Sequence, residues 1–192
     1  MMSDADQKTG QSTTPTFVEF PKIPRLRREI VITEKIDGTN AQVTVLEDGR
    51  VFAGSRSRWI TPEDDNFGFA RWVRENEEAL RVGLGCGTHY GEWWGAGIQR
   101  RYDLKEKRFS LFNVHRWTDE VRPAICHVVP TLYKGSFADA AIEEALGRLR
   151  TNGSLASPGF MKPEGVVVFH TASQELYKVT IEKDAEPKGR GA

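Results

Sequence analysis

Residues 41–55 limit the fold more than any other segment. Two strand-like runs, 41–47 and 50–55, flank Asp48-Gly49. Asp-Gly between such runs is the chemistry of a two-residue hairpin turn, because glycine tolerates the positive φ that the turn needs. The two runs are expected to pair as antiparallel neighbours. Further strand signals fall at 29–36, 89–93, 108–116, 124–129, 165–170 and 175–179. Between them the period changes twice. Thr61-Pro62 with Asp64 reads as a helix start, followed by Phe69, Trp72, Val73 and Leu80 at helical spacing and closed by Gly83 and Gly85. A second helix is expected over 137–149, with Ser136 as its cap and Phe137, Ala141, Ile142, Ala145, Leu146 and Leu149 facing inward. Asn152-Gly153 stops it. Hairpin-linked strands with a few helices imply an α+β class, mostly antiparallel.

The chain has 192 residues, enough for one domain with a core. Residues 1–16 are polar, with no apolar stretch of the signal-peptide kind, and read as a disordered tail. The stretch 184–192 reads the same way, which leaves 17–183 as the folded unit. No apolar run approaches the roughly 20 residues of a membrane helix. Net charge is zero, so bulk charge does not announce a nucleic-acid binder. Local basic groups do occur: Lys22, Arg25, Arg27 and Arg28, then Arg100, Arg101, Lys105, Lys107 and Arg108. Each group fits either a solvated face or a phosphate contact. Cys86 and Cys126 lack a CxxC pattern and are expected as reduced core or near-core thiols of a cytoplasmic protein. His89, His115, His127 and His170 lack metal-ligand spacing and read as structural.

The chemistry centres on residues 34–40, Glu-Lys-Ile-Asp-Gly-Thr-Asn. Strand side chains alternate, so Ile30, Ile32 and Ile36 share the core face, while Val31, Thr33, Lys35 and Asp37 share the other. Glu34 then falls on the apolar face, a local conflict of the kind that collects at functional sites. Gly38 permits a turn or a close approach. A free lysine, with a pKa of about 10.4, is almost wholly protonated at pH 7. In a dehydrated, cationic cleft such an amine becomes a nucleophile.

Lys35-Ile36-Asp37-Gly38 resembles motif I of the covalent nucleotidyltransferases, the ATP-dependent ligases and RNA capping enzymes. The other motifs of that superfamily follow in order. Residues 54–58 (Gly-Ser-Arg-Ser-Arg) resemble its basic segment, and 90–99 (Tyr-Gly-Glu-Trp-Trp-Gly-Ala-Gly-Ile-Gln) resemble motif III in its RNA ligase form. Residues 109–114 are similar to motif IIIa, 164–168 to motif IV and 176–180 to motif V. The resemblance covers about 17–183 and points to the adenylyltransferase domain of the RNA ligases. It departs from the pattern at Asn113, where an acidic residue is common, and at Thr180, where a second lysine is common.

The resemblance implies joining of RNA 3′-hydroxyl and 5′-phosphate ends through a lysyl–AMP and then an adenylylated RNA end, with ATP as substrate and Mg²⁺ or Mn²⁺ as cofactor. It assigns catalysis to Lys35, Lys178 and Asp37. ATP contacts fall to Glu34, Lys35, Asn40, Arg56, Glu92, Phe112, Glu164 and Lys178, and the metal to Glu164. Within that set Glu92 would hold the ribose, Phe112 would stack on adenine, and Arg56 and Lys178 would meet phosphate. Arg58, Arg100 and Arg101 are the expected nucleic-acid contacts. Arg56 and Arg58 lie two apart on a strand-like stretch, so either suits a phosphate. Trp93 and Trp94 are expected to pack. About a dozen residues follow motif V, too few for an OB-fold, so a bare catalytic domain is expected, with any further nucleic-acid clamp left to a partner protein. The alternatives are a minimal DNA ligase or other adenylyltransferase, and a non-catalytic module that binds nucleotide or RNA ends.

Overall fold

A computed structural model describes residues 15–182. Most of the expected 1–16 tail, the whole of 184–192 and Lys183 lie outside the described residues; Pro15 and Thr16 are exposed and in no regular element. The first strand begins at Glu29, and 17–28 is exposed irregular chain. The elements in order are β1 Glu29–Lys35, β2 Thr39–Val45, β3 Val51–Gly54, β4 Trp59–Ile60, α1 Phe69–Glu75, α2 Glu77–Leu84, β5 Gly87–Gly95, β6 Lys107–Leu111, β7 His127–Val128, β8 Thr131–Ser136, α3 Asp139–Asn152, β9 Gly165–His170 and β10 Glu175–Thr180. They form two sheets, one of four strands ordered β10-β9-β1-β8 and one of six ordered β4-β3-β2-β5-β6-β7. Every strand pair is antiparallel except β6 with β7. The fold is α+β.

Each sheet buries one face under helices. Ala41, Val43, Trp93, Phe109 and Leu111 of the larger sheet meet Phe69, Val73, Leu80 and Leu84 of α1 and α2. Ile30, Ile32, Val166 and Val168 of the smaller sheet meet Ala141, Ala145, Leu146 and Leu149 of α3. A third cluster, Ile36, Trp94, Tyr102, Val129 and Phe160, seals the base of the space between the sheets. Trp93 and Trp94 are both buried, with their indole N–H groups donating to Phe67 O and Ser110 Oγ. They pack, as expected.

Several boundaries differ from the sequence reading, each for a local reason. No helix starts at Thr61, because Thr61 and Asp64 exchange backbone hydrogen bonds in an isolated bridge and Asp64 pairs with Arg58. Instead Asp65 accepts from the Ala70 and Arg71 N–H groups at 2.8 and 3.1 Å, satisfying donors of the first turn of α1. The single helix expected here is two, divided at Asn76, and Gly83 lies inside α2 rather than ending it. Ser136 does not cap α3, because it still pairs with Glu29 in the β1–β8 ladder. The expected strand 108–116 ends at Leu111, since Asn113 Oδ1 turns the chain by accepting from His115 and Arg116 N–H. β8 is absent from the sequence reading. Cys126 is buried as expected, its thiol pushed up to about 12 by burial, but Cys86 is exposed rather than near-core. No helix of the described residues is long and apolar enough to cross a membrane.

Candidate active site between the two sheets

The site begins with the pleat of β1. Ile30, Ile32 and Glu34 face α3, so Val31, Thr33 and Lys35 face the other sheet. Register then sets the neighbours. Thr33 pairs with Val167, which pairs with Lys178, and Lys35 pairs with Gly165, which pairs with Thr180. Lys35 and Lys178 therefore stand on one face of the smaller sheet, separated by β9 and offset by two residues. Gly165 holds φ 155°, and a Cβ there would collide with the Val179 carbonyl. Glu164 immediately precedes β9, and its Oε2 accepts from Lys35 Nζ at 2.5 Å.

The larger sheet supplies the facing wall. Asn40, Glu92 and Ser110 form one cross-strand row on its helix-free face. Glu92 is only 8% exposed, and its Oε1 accepts from the Gly38 N–H at 2.9 Å. That contact needs a glycine, because a Cβ on Gly38 would lie 2.5 Å from Trp93 O and 2.7 Å from Trp94 Cβ. Burial pushes the Glu92 carboxyl up to about 7, against the pull of the Lys35 charge, with Glu164 and Asp37 adding to the upward push. Glu92 therefore changes charge close to neutral pH.

Asp37 is held from two sides. Its N–H donates to Tyr102 Oη at 2.8 Å, and its Oδ2 accepts from Arg100 Nε at 3.0 Å. Arg100 also donates to Lys162 O at 3.0 Å, tying Asp37 to the chain just ahead of Glu164. Tyr102 is fully buried against Trp94 and Phe160, and burial raises its phenol. Arg101, Tyr102 and Asp103 all have positive φ, a strained run that the Tyr102 anchor holds in place.

The other expected residues fall as follows. Glu34 is 1% exposed and points away from Lys35, accepting from Ser154 Oγ at 2.5 Å and from the Leu155 and Ala156 N–H groups at 2.8 and 3.0 Å. Its carboxyl is raised by burial and partly restored by those bonds. The expected ATP contact by Glu34 is thus replaced by a structural one, since strand alternation puts it on the α3 side. Asn40 is exposed beside Glu92, and Phe112, 38% exposed, follows β6 with its N–H donating to Tyr90 O. Lys178 is exposed on β10. Arg56 lies in the β3–β4 turn and makes no ion pair with a described residue, whereas Arg58 pairs with Asp64. Arg100 is engaged inside the site, while Arg101 is exposed at its rim. Tyr102 and the 154–156 loop escaped the sequence reading. Tyr102 lies 65 residues from Asp37 and Ser154 lies 120 from Glu34, so no local pattern signals either contact.

No group of three or more His, Cys, Asp or Glu among the described residues could cage a metal ion. Glu164 still fits a divalent cation of the Mg²⁺ kind, which is held by one or two carboxylates together with water and substrate phosphate.

The family model for RNA ligases matches residues 28–180. No curated protein matches the chain. Among solved structures, an apo lysine-to-alanine variant of a Naegleria gruberi RNA ligase is similar, with a TM-score of 0.57 and 20% identity over 87% of this chain and 57% of that one. An arginine-to-alanine variant with ATP and Mn gives 0.56 and 20% over 82% and 51%. The complex with pyrophosphate gives 0.55 and 20% over 87% and 57%. This chain spans between half and three fifths of the length of those proteins.

Proposed function

We propose that this chain, which belongs to the RNA ligase family, joins RNA 3′-hydroxyl and 5′-phosphate ends at the expense of ATP. The reading rests chiefly on Lys35. Its amine lies in a cleft with a carboxylate 2.5 Å away, a second lysine on the same sheet face and a buried carboxylate on the facing wall. In the first step Lys35 Nζ attacks the α-phosphorus of ATP, the bond to the bridging oxygen breaks, pyrophosphate leaves and a lysyl–AMP phosphoramidate remains. The AMP then passes to an RNA 5′-phosphate, and a 3′-hydroxyl displaces it.

Each residue has a part. Lys178 and Arg56 meet the phosphates as fixed positive charge where negative charge develops. Glu92, with Asn40 beside it, accepts the ribose hydroxyls. Phe112 offers an exposed ring to the adenine. Asp37, steadied by Arg100 and Tyr102, fixes the turn that leaves Lys35 at the mouth of the strand. The Lys35–Glu164 pair has to open before attack. Glu164 would hold a divalent cation together with the triphosphate, and the cation would supply charge neutralisation there. Solved relatives hold ATP or AMP with Mn.

Phe112→Ala is expected to weaken ATP binding by about 1–3 kcal/mol, the usual worth of a base stacked on an aromatic ring, with little loss of stability because the ring is already half exposed. Equilibrium titration with ATP and a urea denaturation curve measure the two effects. An unchanged affinity with lowered stability places Phe112 in the core instead. The proposed activity is tested by offering matched nicked substrates whose broken strand is RNA or DNA, with ATP and Mg²⁺. Sealing of the RNA break is expected. Sealing of DNA alone makes the chain a DNA ligase, and binding of ends without sealing under any divalent cation makes it a binding module.

A further inference from the structure

The helix-free face of the larger sheet carries more than the Asn40–Glu92 row. Two residues along each strand, a second row crosses the same face. Trp59 pairs with Gly54, Gly54 with Gln42, and Gln42 with Tyr90, whose carbonyl receives the Phe112 N–H. At about 4.8 Å per strand the row is roughly 19 Å long. Its rings face solvent: Trp59 is 55% exposed and Tyr90 60%. Between them the floor is flat, because Gln42 lies across Gly54. Trp59 rests against Phe52 of the same face at 5.8 Å between ring centroids, and Arg50 lies over the Phe52 ring. Arg56 and Arg58 occupy the turn joining β3 to β4, at the Trp59 end.

We infer that this row is a stacking platform for the unpaired nucleotides of the RNA strand next to the break, with bases on Tyr90 and Trp59 and their phosphates toward Arg58 of the β3–β4 turn. The inference rests on the proposed ligase reading and names the surface that receives its second substrate. Three observations favour nucleic acid over an apolar partner. Tyr90 stands apart from the Trp59–Phe52 pair, separated from it by Gln42 and Gly54, rather than merging with it into one apolar patch. Three arginines, Arg50, Arg56 and Arg58, lie at one end, with Arg50 and Arg58 on exposed aspartates, Asp48 and Asp64, whose place a phosphate can take. The Asn40–Glu92 row runs alongside it, two residues away on each strand, so a strand laid on the platform lies along the edge of the Lys35 cleft. Sheet faces that pair exposed aromatic rings with cations bind single strands in a sequence-tolerant way.

The test uses a fluorescein-labelled, 5′-phosphorylated single-stranded oligoribonucleotide and the full chain. Tyr90→Ala and Trp59→Ala are each expected to weaken its binding about 5- to 100-fold. Tyr90→Phe and Trp59→Phe should restore it, since the ring face is what binds. The rate of AMP transfer from α-labelled ATP to protein should stay at the wild-type level in all four. Unchanged oligonucleotide affinity in both alanine variants overturns the platform, as does failure of the phenylalanine variants to rescue. A wild-type dimer that the alanine variants convert to monomer on gel filtration also overturns it, assigning the face to a second copy of the chain. If the wild-type protein takes up no AMP, the ligase reading fails, yet the oligonucleotide titration still decides whether the platform exists.

Discussion

Lys35→Ala is expected to reduce AMP transfer to the protein by roughly 10³-fold or more, because the proposed mechanism assigns the attack on the α-phosphorus to this amine alone. The same variant should still seal an RNA end that already carries AMP, since the closing displacement needs a 3′-hydroxyl and the phosphate-binding charges but not the lysine amine. That split separates a nucleophile from a merely structural cation. Lys35→Arg provides a second check. Arginine keeps a positive charge for Glu164 but stays protonated and cannot attack. It should therefore hold the site together, lack the label and still use the adenylylated end. Loss of both activities in Lys35→Ala with both retained in Lys35→Arg would mean that Lys35 only neutralises the carboxylates around it.

Glu92→Gln is expected to make the protein more stable at pH 8 while making it a poorer user of ATP. Burial pushes the folded carboxyl up to about 7, against 4.5 for an ordinary glutamate. Between those values the folded protein keeps a proton that the unfolded chain releases, so stability falls as pH rises through the window. A gap of that size is worth about 3 kcal/mol once pH exceeds 7. Glutamine removes the titration yet retains a carbonyl oxygen for the Gly38 N–H. Urea midpoints at pH 5 and pH 8 should differ less in the variant than in the wild type, with most of the gain at pH 8. Equal pH dependence in both proteins would mean that Glu92 is already ionised in the folded state. The cost falls on function, because a carboxylate can accept from both ribose hydroxyls while an amide offers a single acceptor oxygen. A destabilised buried acid beside a nucleophilic lysine is the kind of tension expected at a working site.

Much of this was legible in the sequence, and what was not has a physical reason. The hairpin around Asp48-Gly49, the strand at Gly165–His170 and the alternation that separates Lys35 from the core are local properties of a few adjacent residues, although Leu46 pairs with Arg50 and the loop is three residues, 47–49, rather than the expected two-residue turn. Glu34 stood out as a carboxylate on an apolar face, and the structure resolves that conflict with three donors from the 154–156 segment. Which donors they were could not be read, because the contact spans 120 residues. A separation of 65 residues hid Tyr102 behind Asp37 in the same way. The Thr61 signature misled because its side chain and backbone serve a turn with Asp64, while Asp65, one residue on, caps the helix. Arg100, expected as a nucleic-acid contact, also holds Asp37, a pairing across 63 residues that no local pattern signals. Tyr90 was read only as part of a motif, and its place in a row with Trp59 depends on pairing across four strands that no single segment encodes.

The central claim is a covalent lysyl–AMP at Lys35. Incubation of the wild-type chain with α-labelled ATP and Mg²⁺, or Mn²⁺, followed by denaturing electrophoresis and peptide mapping, tests it directly. The expected result is a label that survives denaturation, is stable to alkali, is released by acid and maps to the peptide containing Lys35. Absence of label with either cation, or a label that maps to Lys178 instead, would contradict it.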